Sequence, residues 1–159
     1  MRLEKIEWMN TEREKKDMRI STKGRYALRL MLDLALNDGE ELIRVKDISK
    51  RQGISEKYLE QIISYLKKAG YVKSLRGAQG GYRLSMEAKE YSVGMILRLI
   101  EGNMIPVECI ADKESCERAD SCTTVRLWKM LDDAVKGVID RVTLQDLVDW
   151  EMEEQEKKK

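Results

Sequence analysis

With 159 residues the chain has room for one compact domain and an appendage, and not for two full-sized domains. Thirty basic residues against 29 acidic ones, a formal charge of +1, leave whole-chain charge silent about nucleic-acid or membrane partners. The absence of histidine removes every catalytic triad and every zinc site built on imidazole, so acid–base work would fall to Asp, Glu, Lys and Tyr.

The distribution of charge says more than its sum. Residues 1–17 carry 5 basic and 5 acidic side chains, residues 18–91 carry 15 and 9, and residues 92–159 carry 10 and 15. A basic segment beside an acidic one points to a middle section that meets a polyanion while the remainder does another job. No apolar run reaches about 18 residues, and Met1-Arg2-Leu3-Glu4-Lys5 lacks the apolar stretch of a secretory signal. A soluble cytoplasmic protein without a membrane partner is expected. Three cysteines is an odd count, which fits buried, redox or metal-ligating thiols better than an extracellular disulfide framework.

Residues 1–17 are mostly charged, with Leu3, Ile6, Trp8 and Met9 as their large apolar side chains, and read as an N-terminal extension, a frayed helix or arm. From Ser21 or Thr22, apolar residues at Tyr26, Ala27, Leu30, Met31, Leu34 and Ala35 recur at helical spacing until Asn37-Asp38-Gly39. After an extended Leu42-Ile43-Arg44, a second helix runs from Val45 to Gln52 and closes on Gly53. Ser55 caps a third helix, Glu56 to about Ala69, whose apolar face is Leu59, Ile62, Ile63 and Leu66. Two short helices joined by a tight glycine turn make a helix-turn-helix.

Tyr71 to Leu75 reads as a strand, Arg76-Gly77-Ala78-Gln79-Gly80-Gly81 as a glycine-rich turn, and Tyr82-Arg83-Leu84 as a returning strand. This β-hairpin wing completes a winged helix over residues 18–91, in which the third helix enters the major groove and the wing reaches the neighbouring backbone. The wing glycines would allow close approach to phosphate, with Arg76 and Arg83 supplying charge. A phosphate-cradling enzyme loop is the competing reading of GAQGG. It fails because these glycines lie between two strands instead of opening a helix.

Residues 92–122 comprise a short helix, Val93 to Glu101, and a segment around Pro106 that holds Cys109, Cys116 and Cys122. A long helix over 123–142 presents Val125, Trp128, Leu131, Val135, Val138 or Ile139, and Val142 as a seam suited to a second copy of the chain. Thr143 and Asp146 form a capping box for a last helical turn with Leu147, Val148 and Trp150, and the remainder to residue 159 reads as a solvated tail. The expected class is mainly α, a winged helix-turn-helix with a two-stranded wing and a long C-terminal dimerisation helix.

Three thiols crowded into ECIADKESCERADSC are poorly explained as core packing, because free cysteine is normally buried. They suit an iron–sulfur or zinc site, each of which usually takes four ligands, so one donor is missing. Asp112, Glu114, Glu117, Asp120, a residue of another subunit or a small thiol could supply it. A thiol redox switch needs no metal and is the alternative.

These features together resemble the IscR-like family of winged-helix regulators. The resemblance is carried by MRISTKGRYALRLMLDLAL, by DISKRQGISEKYLEQIISYLKKAGYVKSLRGAQGGYRL, by VGMILRLIEG, and by the three cysteines with CTTVRLW and TLQDLV, and it covers Met18 to Trp150. It implies a homodimer bound to a double-stranded DNA operator, with Ser55, Lys57, Tyr58, Glu60 and Gln61 on the reader helix and Arg76, Gly77, Gln79, Gly80, Gly81 and Tyr82 in the wing. Glu60 would accept from cytosine and Gln61 would pair with adenine.

The resemblance also implies that Cys109, Cys116 and Cys122 hold an iron–sulfur cluster of two irons and two sulfides (2Fe-2S). The family pattern has a histidine three residues after the last cysteine, where this chain has Val125. Related branches are the CymR type, controlled by cysteine supply through a partner enzyme without a cluster, and the nitric-oxide-sensing NsrR type. An enzyme or cluster carrier would need a catalytic set, and neither a nucleophile elbow nor a nucleotide loop is present. A protein-interaction module working through the acidic C-terminal part is a third possibility.

Overall fold

The computed structural model describes residues 19–158, so the N-terminal extension expected over residues 1–17 lies outside the described residues. In chain order the elements are α1 (Thr22–Leu36), α2 (Val45–Gln52), α3 (Glu56–Lys68), β1 (Val72–Leu75), β2 (Gly81–Leu84), α4 (Val93–Glu101), α5 (Thr124–Ile139) and α6 (Leu144–Lys157).

Side chains start most of these helices. The hydroxyl oxygens of Ser21, Ser55 and Ser92 accept from the amides of Gly24, Tyr58 and Met95, satisfying donors that have no partner within the helix. Gly53 ends α2 in the left-handed conformation, φ 64°. Gly70, φ 76°, ends α3, and the Tyr71 amide reaches back to the Leu66 carbonyl at 2.8 Å.

One core joins these parts. Leu30, Met31 and Leu34 of α1 meet Ile48 of α2, the Leu59/Ile62/Ile63/Leu66 face of α3, Val72 and Leu84 of the wing strands, and Ile96 of α4. The wing is antiparallel, with Val72 opposite Leu84 and Leu75 opposite Gly81. Ile43 adds a bridge to Tyr82, exchanging amide and carbonyl at 2.8 and 2.9 Å. The extended piece before α2 therefore anchors the wing against the helix-turn-helix.

Two features of the C-terminal part differ from the expected ones. First, α5 ends at Ile139 instead of continuing to residue 142, because the chain turns to pair again: the Val142 carbonyl accepts from the Val93 amide at 2.8 Å. Second, the expected helical turn and tail form a 14-residue helix, α6, whose Leu144 is fully buried and whose Leu147 packs on the core. The capping box of Thr143 and Asp146 starts α6 as expected. The polar stretch behind it continues the helix because Glu, Gln, Lys and Met are good helix formers, and Gln155–Glu151 and Lys157–Glu154 pair across its turns.

The seam of α5 is also redistributed. Val125, Trp128, Val135 and Ile139 are half-buried against their own chain. Leu127, Met130, Leu131 and Val138 are exposed. Leu127, Leu131, Ala134 and Val138 follow alternating steps of four and three residues, so the open stripe lies about a fifth of a turn from the centre of the expected one.

Candidate nucleic-acid interface and cysteine site

A buried carboxylate builds the helix-turn-helix. Asp33 of α1, 2% exposed, receives the Arg51 guanidinium through Nε at 3.0 Å and Nη2 at 2.6 Å, and the Gln52 amide at 2.9 Å. Arg29 donates in turn to the Gln52 side chain at 3.0 Å and to its carbonyl. The end of α2 is thereby fixed on α1, which sets the angle at which α3 leaves the turn.

Opposite its buried face, α3 presents Lys57, Gln61, Ser64 and Lys68, all exposed and spaced by four, three and four residues. Glu60 is exposed beside this stripe, and Ser55 is exposed at its start while its oxygen caps the helix. Ser64 and Lys68 are absent from the expected DNA-facing set, although the helical period that marks Lys57 and Gln61 marks them equally. Tyr58 lies half-buried at the flank, edge-on to Tyr26 with centroids 5.8 Å apart. Lys23 sits 3.6 Å over the exposed ring of Tyr65, which adds a cation beside the stripe.

In the wing, Arg76, Gly77 and Gln79 are exposed, whereas Gly81 is buried and Gly80 and Tyr82 are half-buried. The reason for glycine differs by position. Gly77 has φ 116°, which only glycine adopts easily. A Cβ on Gly80 would lie 2.5 Å from the Leu75 carbonyl oxygen, and one on Gly81 would lie 2.7 Å from that of Ile43. Gly80 and Gly81 thus serve the packing of the hairpin. Arg44 donates to the Ala78 carbonyl at 2.8 Å and steadies the tip, while Arg83 turns to the Gly39 carbonyl at 3.2 Å and leaves Arg76 as the open cation of the turn.

The cysteines occupy a segment with two single 3-10 turns, Glu108–Ile110 and Lys113–Ser115. Cys109 lies in the first, Cys116 follows the second and is exposed, and Cys122 precedes α5. Cys109 and Cys122 line one cavity of about 510 Å3 together with Asp120, Val125, Arg126 and Lys129. Of the four carboxylates weighed as a fourth ligand, Asp120 alone lines that cavity, and Asp112 is engaged in accepting from the Glu114 amide at 3.0 Å. No group of three metal-ligating side chains is assembled among the described residues. The Thr124 hydroxyl, 3.0 Å from Cys122 Sγ, the first amides of α5 and Arg118 hold the Cys122 thiol below its ordinary pKa.

The helix-turn-helix and wing recur in known proteins. The family described as Rrf2, iron-dependent transcriptional regulator, matches residues 20–150. The chain belongs to the Rrf2 family. It is a DNA-binding transcriptional regulator and not an enzyme.

Among its Rrf2 relatives, the HTH-type transcriptional regulator CymR of Bacillus subtilis is 45% identical over 139 residues, covering 87% of this chain and 96% of that protein. IscR of Pectobacterium atrosepticum is 44% identical over 131 residues, covering 82% and 79%. The solved structure of B. subtilis CymR, called the global cysteine regulator, superposes with a TM-score of 0.70 over 83% of this chain and 97% of that one. That of T. potens IscR, 41% identical, gives 0.71 over 86% and 90%. No helix among the described residues is long and apolar enough to cross a membrane.

Proposed function

We propose that this Rrf2 regulator binds a two-fold operator as a homodimer and that its cysteine segment controls the binding by holding an iron–sulfur cluster on Cys109, Cys116 and Cys122. Lys57, Gln61, Ser64 and Lys68 would face the major groove, with Arg76, Gly77 and Gln79 at the flanking backbone. Gln61 and Glu60 carry base-reading groups, while Lys57 and Lys68 neutralise phosphate. The open stripe of α5 supplies the surface for a second copy, which would place two reader helices on successive half-sites.

The observation that carries the cluster reading is the shared cavity of Cys109 and Cys122, with the Asp120 carboxylate on its wall. The donor set fits a 2Fe-2S cluster in kind, three thiols and a carboxylate, and Cys116 joins them only if the segment between the two 3-10 turns and α5 reorders. A cluster would supply a redox- and nitric-oxide-reactive centre next to the dimer helix. The second reading is a regulator of cysteine metabolism controlled by thiol oxidation or by a partner enzyme. It is favoured by the similarity to CymR and by the lowered pKa of Cys122.

Protein purified without oxygen, with iron supplied, separates the two. Visible charge-transfer bands with iron and sulfide, lost in Cys122→Ala while the dimer persists, support the cluster. Colourless protein that stays metal-free after reconstitution overturns it in favour of the second reading. DNA binding is tested by gel shift in excess random DNA, and Lys68→Ala should lower the slope of log affinity against log salt by about 1.

A further inference from the structure

We propose that Glu101 is the positioning residue through which the cysteine segment acts on the reader domain; this rests on the control by that segment proposed above. Glu101 is the last residue of α4, and the segment leading to Cys109 begins immediately after it. Its Oε1 accepts from both the amide and the hydroxyl of Ser21, at 3.0 and 2.6 Å. Ser21 is the N-cap of α1, where its oxygen also accepts from the Gly24 amide at 3.0 Å. The end of α4 is therefore bound to the start of the helix on which the helix-turn-helix is built.

Gly24 lies directly beneath the Glu101 carboxylate. Its backbone is ordinary right-handed helix, so conformation does not require glycine, and glycine weakens a helix relative to alanine. A Cβ on residue 24 would meet Glu101 Oε1, the end of a flexible side chain, so alanine there would push the carboxylate off Ser21. The fold places the same device at the far end of α5. Asp140, just past that helix, is paired with Arg98 of α4, and its Oδ1 lies over Gly94 where a Cβ would collide with it. The stretch from residue 102 to residue 139 is thus flanked by two carboxylates, Glu101 seated over Gly24 of α1 and Asp140 over Gly94 of α4.

The geometry around Glu101 suits transmission. Gly102 has φ 74° and ψ −138°, a bend open to glycine, so a rearrangement of the cysteine segment acts first on the Glu101–Gly102 junction. From Ser21 the connection continues along α1 to Tyr26, whose ring meets Tyr58 at the start of the reader helix. Glu101 is half-exposed, whereas the apolar contact of α4 with the body of the domain is made by the buried Ile96 and Leu97. Loss of the carboxylate contact should leave the fold standing and remove the link.

The test uses Gly24→Ala, which displaces the carboxylate without altering it, and Glu101→Gln as a second variant. Affinity for a selected operator is measured on the full chain with thiols free, with thiols alkylated by iodoacetamide, and after reconstitution with iron and sulfide. The wild type should change its affinity at least tenfold between free thiols and one treated state. Both variants should change less than twofold, with dimerisation, melting temperature and free-thiol affinity close to wild type. A wild-type ratio retained in both variants overturns the role of Glu101 alone. A wild type indifferent to both treatments overturns control by the segment, and the role of Glu101 with it; variants that lose the dimer or the fold mark Glu101 as structural and overturn it as well.

Discussion

The hydroxyl of Tyr91 donates to the carbonyl of Tyr71 at 2.7 Å and accepts from the amides of Ser85 and Met86, each at 3.0 Å. Tyr91 is fully buried, and its ring stands edge-on to that of Tyr71 with centroids 5.7 Å apart. One side chain, placed just before α4, therefore holds both the entry and the exit of the wing.

Tyr91→Phe keeps the ring and leaves three polar backbone groups without this partner, at a cost of about 1–3 kcal/mol. Thermal unfolding should show a midpoint lower by roughly 3–10 °C. Burial pushes the hydroxyl above its ordinary pKa. Its contribution is therefore intact at and below neutral pH and is lost as the pH rises through the raised value. The difference between wild type and variant should shrink in alkaline solution and stay constant from pH 6 to 8.

Gly81→Ala should loosen the wing without unfolding the helices, because the added Cβ meets the backbone of Ile43, which cannot swing aside as a side chain does. Amide exchange in residues 72–84 should speed up and operator affinity should fall at least tenfold. Gly39→Ala, whose Cβ meets nothing within 4 Å, is the silent control.

Leu131→Glu places a charge on the open stripe of α5 and should convert the dimer to a monomer in sedimentation velocity while near-native helicity remains. Ile139→Glu, on the half-buried face, should instead lower the stability of the single chain, by about 1–3 kcal/mol. Equal loss of dimer from both substitutions would contradict the division of the two faces.

At Cys122 the lowered pKa means more thiolate at neutral pH than an ordinary cysteine carries. Thr124→Val removes the largest cause, so the pH midpoint of its alkylation by iodoacetamide should move upward. At pH 7 the rate at Cys122 should fall, because less of the thiol is ionised. An unchanged midpoint would leave the hydroxyl without a role.

Local chemistry made the helix-turn-helix and wing legible in the amino-acid sequence. Ser21 and Ser55 cap helices where an apolar period begins, Gly53 and Gly70 end them, and the glycine turn separates two short strands; each signal acts within a few residues. The three cysteines were equally visible, since their crowding in a polar segment needs no partner to be noticed. Which face of α5 is covered was not legible, because Val125 and Leu131 are both apolar and only packing against the rest of the chain separates them.

The same holds for α6, whose polar tail stays helical behind a leucine buried in the core, and for Gly80 and Gly81, where an added Cβ would meet neighbouring backbone. Asp33 with Arg51 and Glu101 with Ser21 join residues 18 and 80 positions apart. Nothing in either neighbourhood marks such a pair, and only the folded chain, by bringing two helices side by side, decides what each carboxylate holds.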